Sequence, residues 1–60
     1  MDVKNENELR AAAAVINRDM IGLCNSKTVN EATELFERVC QELTDIYMYK
    51  VAKNEENNQH

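Results

Sequence analysis

Apolar residues recur along this chain at alternating spacings of three and four, which is the pattern of an amphipathic helix with one apolar stripe. In the first half of the chain, the stripe consists of Leu9, Ala13, Ile16, Met20 and Leu23. In the second half, it consists of Val29, Ala32, Phe36, Val39, Leu43 and Ile46. We name these stripes the first seam and the second seam, and they predict two helices.

Polar residues mark the beginnings of both helices. Asn5 can cap the first helix, with Glu8 three residues later. Thr28 and Glu31 form a Thr-x-x-Glu capping box at the start of the second. We therefore expect helices over about residues 5–24 and 28–53, with a turn at residues 25–27. The polar segment 54–60 is expected to be a disordered tail.

Two amphipathic helices joined by a short turn predict an all-α, antiparallel two-helix hairpin over residues 1–53. Each seam is expected to be buried, since each helix of such a hairpin can cover one stripe of the other. The second helix is the longer one, so its end from Met48 to Ala52 is expected to extend past the first helix. The hairpin itself cannot cover that apolar end.

Three explanations are open for this uncovered end. Two hairpins can associate into a homodimeric four-helix bundle, in which each apolar end packs on the other protomer. The end can instead be the docking patch for a different protein. It can also be tolerated in solvent, because scattered exposed apolar residues are common. The residues expected at the dimer or partner interface are Val15, Ile21, Tyr47, Met48, Tyr49 and Val51.

The two tyrosines are expected to differ in role. Tyr47 lies near the second seam, which favours a place in the bundle core. Tyr49, together with Met48, is the better candidate for an intermolecular contact, because tyrosine is a frequent interface anchor.

Composition narrows the possible partners. The chain has 7 Lys and Arg against 11 Asp and Glu, for a net charge of -4. This balance argues against nucleic-acid binding and against docking on an anionic membrane. A single glycine and no proline argue against a β-rich fold. The polar N-terminus does not resemble a signal peptide, so a cytoplasmic location is expected.

No residue cluster predicts catalysis, a cofactor or a metal. Cys24 and Cys40 are expected to lie roughly 18 Å apart along the hairpin, beyond the limit of about 7 Å for a disulfide. They are expected to act as small buried apolar groups. His60 stands alone in the tail. The acidic residues of the second helix are expected to form a solvated face, since a hairpin has no cleft in which to perturb their pKa values.

The segment Cys40–Ile46, CQELTDI, and the pair Met20-Ile21 resemble the aspartyl-phosphate phosphatases that act on response regulators in sporulating bacteria. Those proteins are small helical hairpins whose second helix carries Ser-Gln-x-Leu-Asp. The resemblance implies that Gln41 and Leu43 carry over. This chain departs from the motif at Cys40 and Thr44, which stand where the family has Ser and Asp, and it lacks the glycine usual in the family's turn.

The sequence therefore predicts a small non-catalytic protein-interaction module. It is expected to be a regulator or adaptor that acts through helix-face binding as a homodimer, with a protein partner of unknown identity. The alternative is a small hairpin phosphatase, or an inhibitor, acting on a bacterial signalling protein.

Overall fold

The protein is an all-α hairpin, as the sequence predicts. The computed structural model describes the backbone of residues 2–57 and the side chains of residues 2–56. It contains α1 (Glu6–Cys24) and α2 (Val29–Asn57), which pack against each other. The helices run antiparallel, since Gly22 near the end of α1 lies beside Leu35 and Glu6 at its start lies beside Tyr49.

Both helices begin at the predicted caps. The Asn5 side chain accepts a hydrogen bond from the Glu8 amide at 2.9 Å, and the Thr28 hydroxyl accepts one from the Glu31 amide at 3.1 Å. The glutamates reach back in turn, but each accepts from the amide one residue before the cap. Glu8 binds the Lys4 N–H and Glu31 binds the Lys27 N–H, both at 2.9 Å. These bonds satisfy amides that lack partners within the helix.

A compact turn ends α1. The Asn25 amide donates to the Ile21 carbonyl at 3.1 Å, and the Ser26 amide donates to the Leu23 carbonyl at 3.2 Å. The Ser26 hydroxyl also donates to the Gly22 carbonyl at 3.0 Å. These bonds satisfy the last carbonyls of α1, so the chain can reverse direction within four residues before α2 begins.

The second helix continues to Asn57, four residues beyond the end expected near Lys53. No proline or glycine interrupts residues 53–57, and Lys53 pairs with Glu56 at 3.5 Å in an i,i+3 arrangement. Such pairs stabilise exposed helices. Part of the segment expected to be disordered is therefore helical, and residues 58–60, including His60, lie outside the described residues.

The helices touch along a row that differs from the two seams. Its fully buried members are Ala12, Ile16, Asp19, Val39 and Tyr49. We name this set, together with the half-buried Gly22, Ala32, Leu35, Glu42 and Ile46, the contact row. Only Ile16 and Val39 of the two seams are fully buried. Met20, Phe36 and Leu43 are 49%, 58% and 51% exposed, contrary to the expectation that the seams lie between the helices.

Small side chains explain this shift. Ala12 is 3% exposed, and a Cβ placed on Gly22 would lie 3.4 Å from Leu35 Cδ1. The helices therefore approach closely at Ala12 and Gly22. With these small residues on the line of contact, Met20 and Phe36 lie beside it.

Candidate protein-interaction surface

Exposed apolar side chains collect on one side of the hairpin. Most of them follow a contact-row residue by one position along the chain, as Met20 follows Asp19 and Phe36 follows Leu35. One position is a rotation of about 100° around the helix axis. Because the two helices run in opposite directions, the residue that follows a contact-row residue points to the same side of the hairpin in both helices. The residues of α1 and α2 therefore share one surface.

We name this surface the apolar face. Its exposed members are Ala13, Met20, Cys24, Val29, Phe36, Cys40, Leu43 and Tyr47. None of them carries a charge. Tyr47 is 66% exposed and Val29 is 80% exposed, so the hairpin leaves most of this surface open.

The six residues predicted at an interface do not form one patch. Tyr47 is on the apolar face. Ile21 and Met48 are 61% and 55% exposed, and both point away from the opposite helix on the outer surface. Val15 and Val51 are half-buried, and Val15 lies on the side opposite the apolar face.

Tyr49 is packed by its own hairpin. It is 7% exposed, and its hydroxyl lies 3.3 Å from Glu6 Oε1 in a hydrogen bond. The Lys53 ammonium lies 5.8 Å from the ring centroid, a cation–π distance. Burial and the neighbouring Glu6 carboxylate raise the pKa of the Tyr49 phenol. Tyr49 therefore packs within its own hairpin rather than standing open for an intermolecular contact, because α1 reaches far enough to cover it.

An open groove of about 620 Å³ lies at this end of the hairpin. Residues preceding α1 form one wall and α2 forms the other. The lining residues are Asp2, Val3, Lys4, Asp45, Met48, Tyr49, Ala52, Lys53 and Glu56. The mixture of both charge signs with a short apolar floor resembles ordinary helix surface more than a pocket for a small molecule, since such pockets are mostly apolar and enclosed.

The side opposite the apolar face is polar. Asp19 of α1 is 4% exposed and faces Glu42 of α2. Arg18 and Arg38 flank Asp19, with nitrogen atoms 3.7 and 3.9 Å from its Oδ1. Asp19 was not predicted from the sequence as a buried site residue. Its spacing carried a signal, because it lies three residues after Ile16 and four before Leu23, on the apolar side of α1.

The cysteines are not buried. Cys24 and Cys40 are free thiols, and both are exposed on the apolar face. The expectation that they act as buried apolar groups is therefore not met within a single hairpin. Their positions follow from the rotation that exposes Met20 and Phe36.

The positions shared with the phosphatase motif lie on exposed parts of α2. The Gln41 amide donates to Asp45 Oδ1 at 3.1 Å. The Thr44 hydroxyl, where that family has its aspartate, donates to the Cys40 carbonyl of its own helix at 2.9 Å. This hydroxyl therefore binds its own backbone rather than pointing toward a reaction centre.

Comparisons with protein-family models, curated proteins and solved structures find no match to this chain. Within residues 2–57, neither helix combines the length and apolar character needed to cross a membrane.

Proposed function

We propose that the protein is a small non-catalytic protein-interaction module that works as a homodimer and acts as a regulator or adaptor of another protein. The observation that carries this proposal is the apolar face, which brings exposed apolar residues of both helices to one side of the hairpin. A second copy of the chain covers that face, and the two hairpins together form a four-helix bundle.

The rotation of the helices favours a second copy as the occupant. In a four-helix bundle, each seam points toward the centre shared by all four helices, between its own hairpin neighbour and the other hairpin. Half of a bundle therefore buries part of each seam and exposes the rest. The hairpin has this arrangement, because Ile16 and Val39 are buried while Met20, Phe36 and Leu43 are open.

Size and charge favour the same occupant. A hairpin of this length buries few side chains completely, and chains this small commonly gain stability by association. The exposed members of the apolar face span about 16 Å along α1 and about 27 Å along α2, which suits a bundle interface. The chain is acidic as a whole, but the eight members of the apolar face are uncharged. Lys50, which follows the contact-row residue Tyr49, is the charged residue at the same rotation beside them. Two copies can therefore meet there with few charged groups in contact.

The outer surface supplies the contacts for a further protein. Ile21 and Met48 point away from the apolar face and stay open when two hairpins associate. The surrounding acidic residues can attract a basic partner. In this arrangement the dimer is the folded unit, and binding on its outer surface gives the regulatory effect.

The decisive experiment is the solution mass, measured by light scattering after size exclusion over a range of concentrations. The wild type is expected near twice the chain mass of 6.9 kDa. Phe36→Glu places a charge on the apolar face and is expected to give monomers. Ile21→Glu makes the same chemical change at an equally exposed outer position and is expected to leave the dimer intact.

A wild type that stays monomeric at high concentration would refute the homodimer, as would a Phe36→Glu variant that still dimerises. Circular dichroism on the same samples shows whether each variant keeps its helices. Once the dimer is established, proximity labelling in the source cells with wild type, Ile21→Glu and Met48→Glu tests the outer surface. Loss of the same labelled protein in both outer variants is the expected result.

A further inference from the structure

A pair of acidic side chains is enclosed between the helices at mid-length of the contact row. Asp19 is 4% exposed. Its Oδ2 and the Oε1 of Glu42 are both fully buried, and neither has a hydrogen-bond partner. Two ionised carboxylates are acceptors only, so neither can donate a hydrogen bond to the other. Buried polar atoms without partners are costly, which makes this pair an exception in the packing.

One proton removes that exception. A protonated carboxyl donates to a neighbouring carboxylate, so a single proton satisfies both buried oxygens. We propose that Glu42 and Asp19 form a proton-binding site between the helices, in which one shared proton stabilises the hairpin. The ligand is a hydrogen ion taken from solvent, and its release leaves two negative charges facing each other. This inference concerns the single hairpin and does not depend on the dimer.

The flanking charges place the proton on Glu42. Arg18 and Arg38 both approach Asp19, on Oδ1 rather than Oδ2. The positive charge of the two guanidinium groups therefore lies at Oδ1. Oδ2 is left as the acceptor for a proton carried by Glu42.

Burial raises the pKa of Glu42 most, and the facing Asp19 carboxylate raises it further, while Arg38 and Arg18 lower it by less. From α2 itself, Asp45 lines the same small cavity beside Glu42, together with Ala12 and Val15 of α1. That cavity has room for about one water molecule at most.

The sign of the pH effect follows from linkage. The folded protein holds the Glu42 proton more tightly than the unfolded chain, whose glutamate has the ordinary pKa of 4.5. The proton's stabilising contribution is complete below that value and is lost as pH rises through the higher folded pKa. Between the two pKa values, one proton changes the unfolding equilibrium constant by up to about tenfold for each pH unit.

The first test is urea unfolding followed by circular dichroism between pH 4 and pH 9, at one protein concentration with the mass checked by light scattering. Glu42→Gln replaces the proton-dependent donor with a permanent one. The wild type loses the stabilising proton as pH rises, so the unfolding free energy of Glu42→Gln is expected to increase relative to that of the wild type. Glu34→Gln removes the same charge from an exposed position of α2 and is expected to follow the wild type. A Glu42→Gln advantage that does not change with pH overturns the proposal.

The second test observes the proton directly and does not require a variant. Carboxyl carbon NMR is expected to show a higher titration midpoint for Glu42 than for Glu34. A Glu42 midpoint at or below that of Glu34 overturns the proposal. Asp19→Asn removes the facing charge and offers a permanent donor, so the Glu42 midpoint is expected to fall. An unchanged midpoint in that variant would show that the two groups do not share the proton.

Discussion

The contact row and the apolar face differ in composition, and the difference is the reverse of what their burial would suggest. The contact row encloses Asp19 and Glu42 along with alanine and glycine, while Met20, Phe36 and Leu43 lie open on the apolar face. A complete core usually has the reverse distribution, with large apolar chains inside and carboxylates outside. This difference supports the proposal that a second hairpin covers the open side, where the larger apolar side chains lie.

The contact row still holds the hairpin together. Ala12, Ile16 and Val39 supply its buried apolar contacts, and the hydrogen bond from Tyr49 to Glu6 closes the open end. Burial in this row therefore decides whether the two helices pair. In the proposed dimer, burial of the apolar face decides whether two hairpins pair, so variants in the two regions should separate the two events.

The largest effect is expected from Ile16→Ala in the contact row. Removing this buried side chain should cost about 2–4 kcal/mol of unfolding free energy, as for other large-to-small core changes. In a chain of this size, that loss should leave a large fraction unfolded in thermal melts followed by circular dichroism. Ile21→Ala, at 61% exposure, is the matched control and should stay near the wild type. Similar melting of the two variants would contradict the packing described for α1.

Phe36→Ala should affect association rather than the helix pair. Loss of the aromatic side chain should cost about 1 kcal/mol per protomer. Each dimer loses two such side chains, so its dissociation constant should rise by about thirtyfold. Helicity should be retained, because alanine is a strong helix former. Sedimentation or light scattering over a dilution series measures the constant. A variant that dissociates at the same concentration as the wild type would remove Phe36 from the interface.

A smaller loss of unfolding free energy is expected from removing a tyrosine hydroxyl, and the two tyrosines can be compared directly. Tyr49→Phe removes the hydrogen bond to Glu6 and should cost about 0.5–1 kcal/mol in urea unfolding. Tyr47→Phe makes the same change on the apolar face, where the side chain is 66% exposed. It should leave single-hairpin stability unaltered. Equal losses in the two variants would argue against a specific role for the Tyr49 hydroxyl.

The smallest effect is expected at the closest approach of the helices. Gly22→Ala should stabilise the protein by about 0.5 kcal/mol, since glycine within a helix is unfavourable relative to alanine. The added methyl group would meet the movable end of Leu35 at 3.4 Å, an ordinary contact distance. A clear loss of stability would show that the helices approach too closely at Gly22 for any side chain.

Much of the fold could be predicted from local signals. The caps at Asn5 and Thr28 lie where the sequence indicates, because each depends on residues only three positions apart. The end of α2 was less well defined, since no glycine or proline marks it and polar helix formers continue to Asn57. Boundaries without a stop signal depend on weak pairs such as Lys53 with Glu56.

The candidate surface was predicted only in part. The excess of apolar residues was visible, and it led to the expectation of an uncovered surface. The position of that surface could not be predicted, because the seven-residue repeat defines a stripe on each helix but not which edge of the stripe meets the other helix. Tyr47 was found on the apolar face, but Met20, Phe36 and Leu43 were expected between the helices.

Local sequence is enough to define the two amphipathic helices, their caps and the turn between them. It also shows an apolar excess too large for one hairpin. These features depend on neighbours along the chain, so local spacing and side-chain chemistry are sufficient to define them. The rotation of each helix about its own axis is fixed only when the two helices pack together. That rotation depends on which side chains are small enough for the backbones to approach at Ala12 and Gly22, and it encloses Asp19 with Glu42 while it leaves Phe36 open.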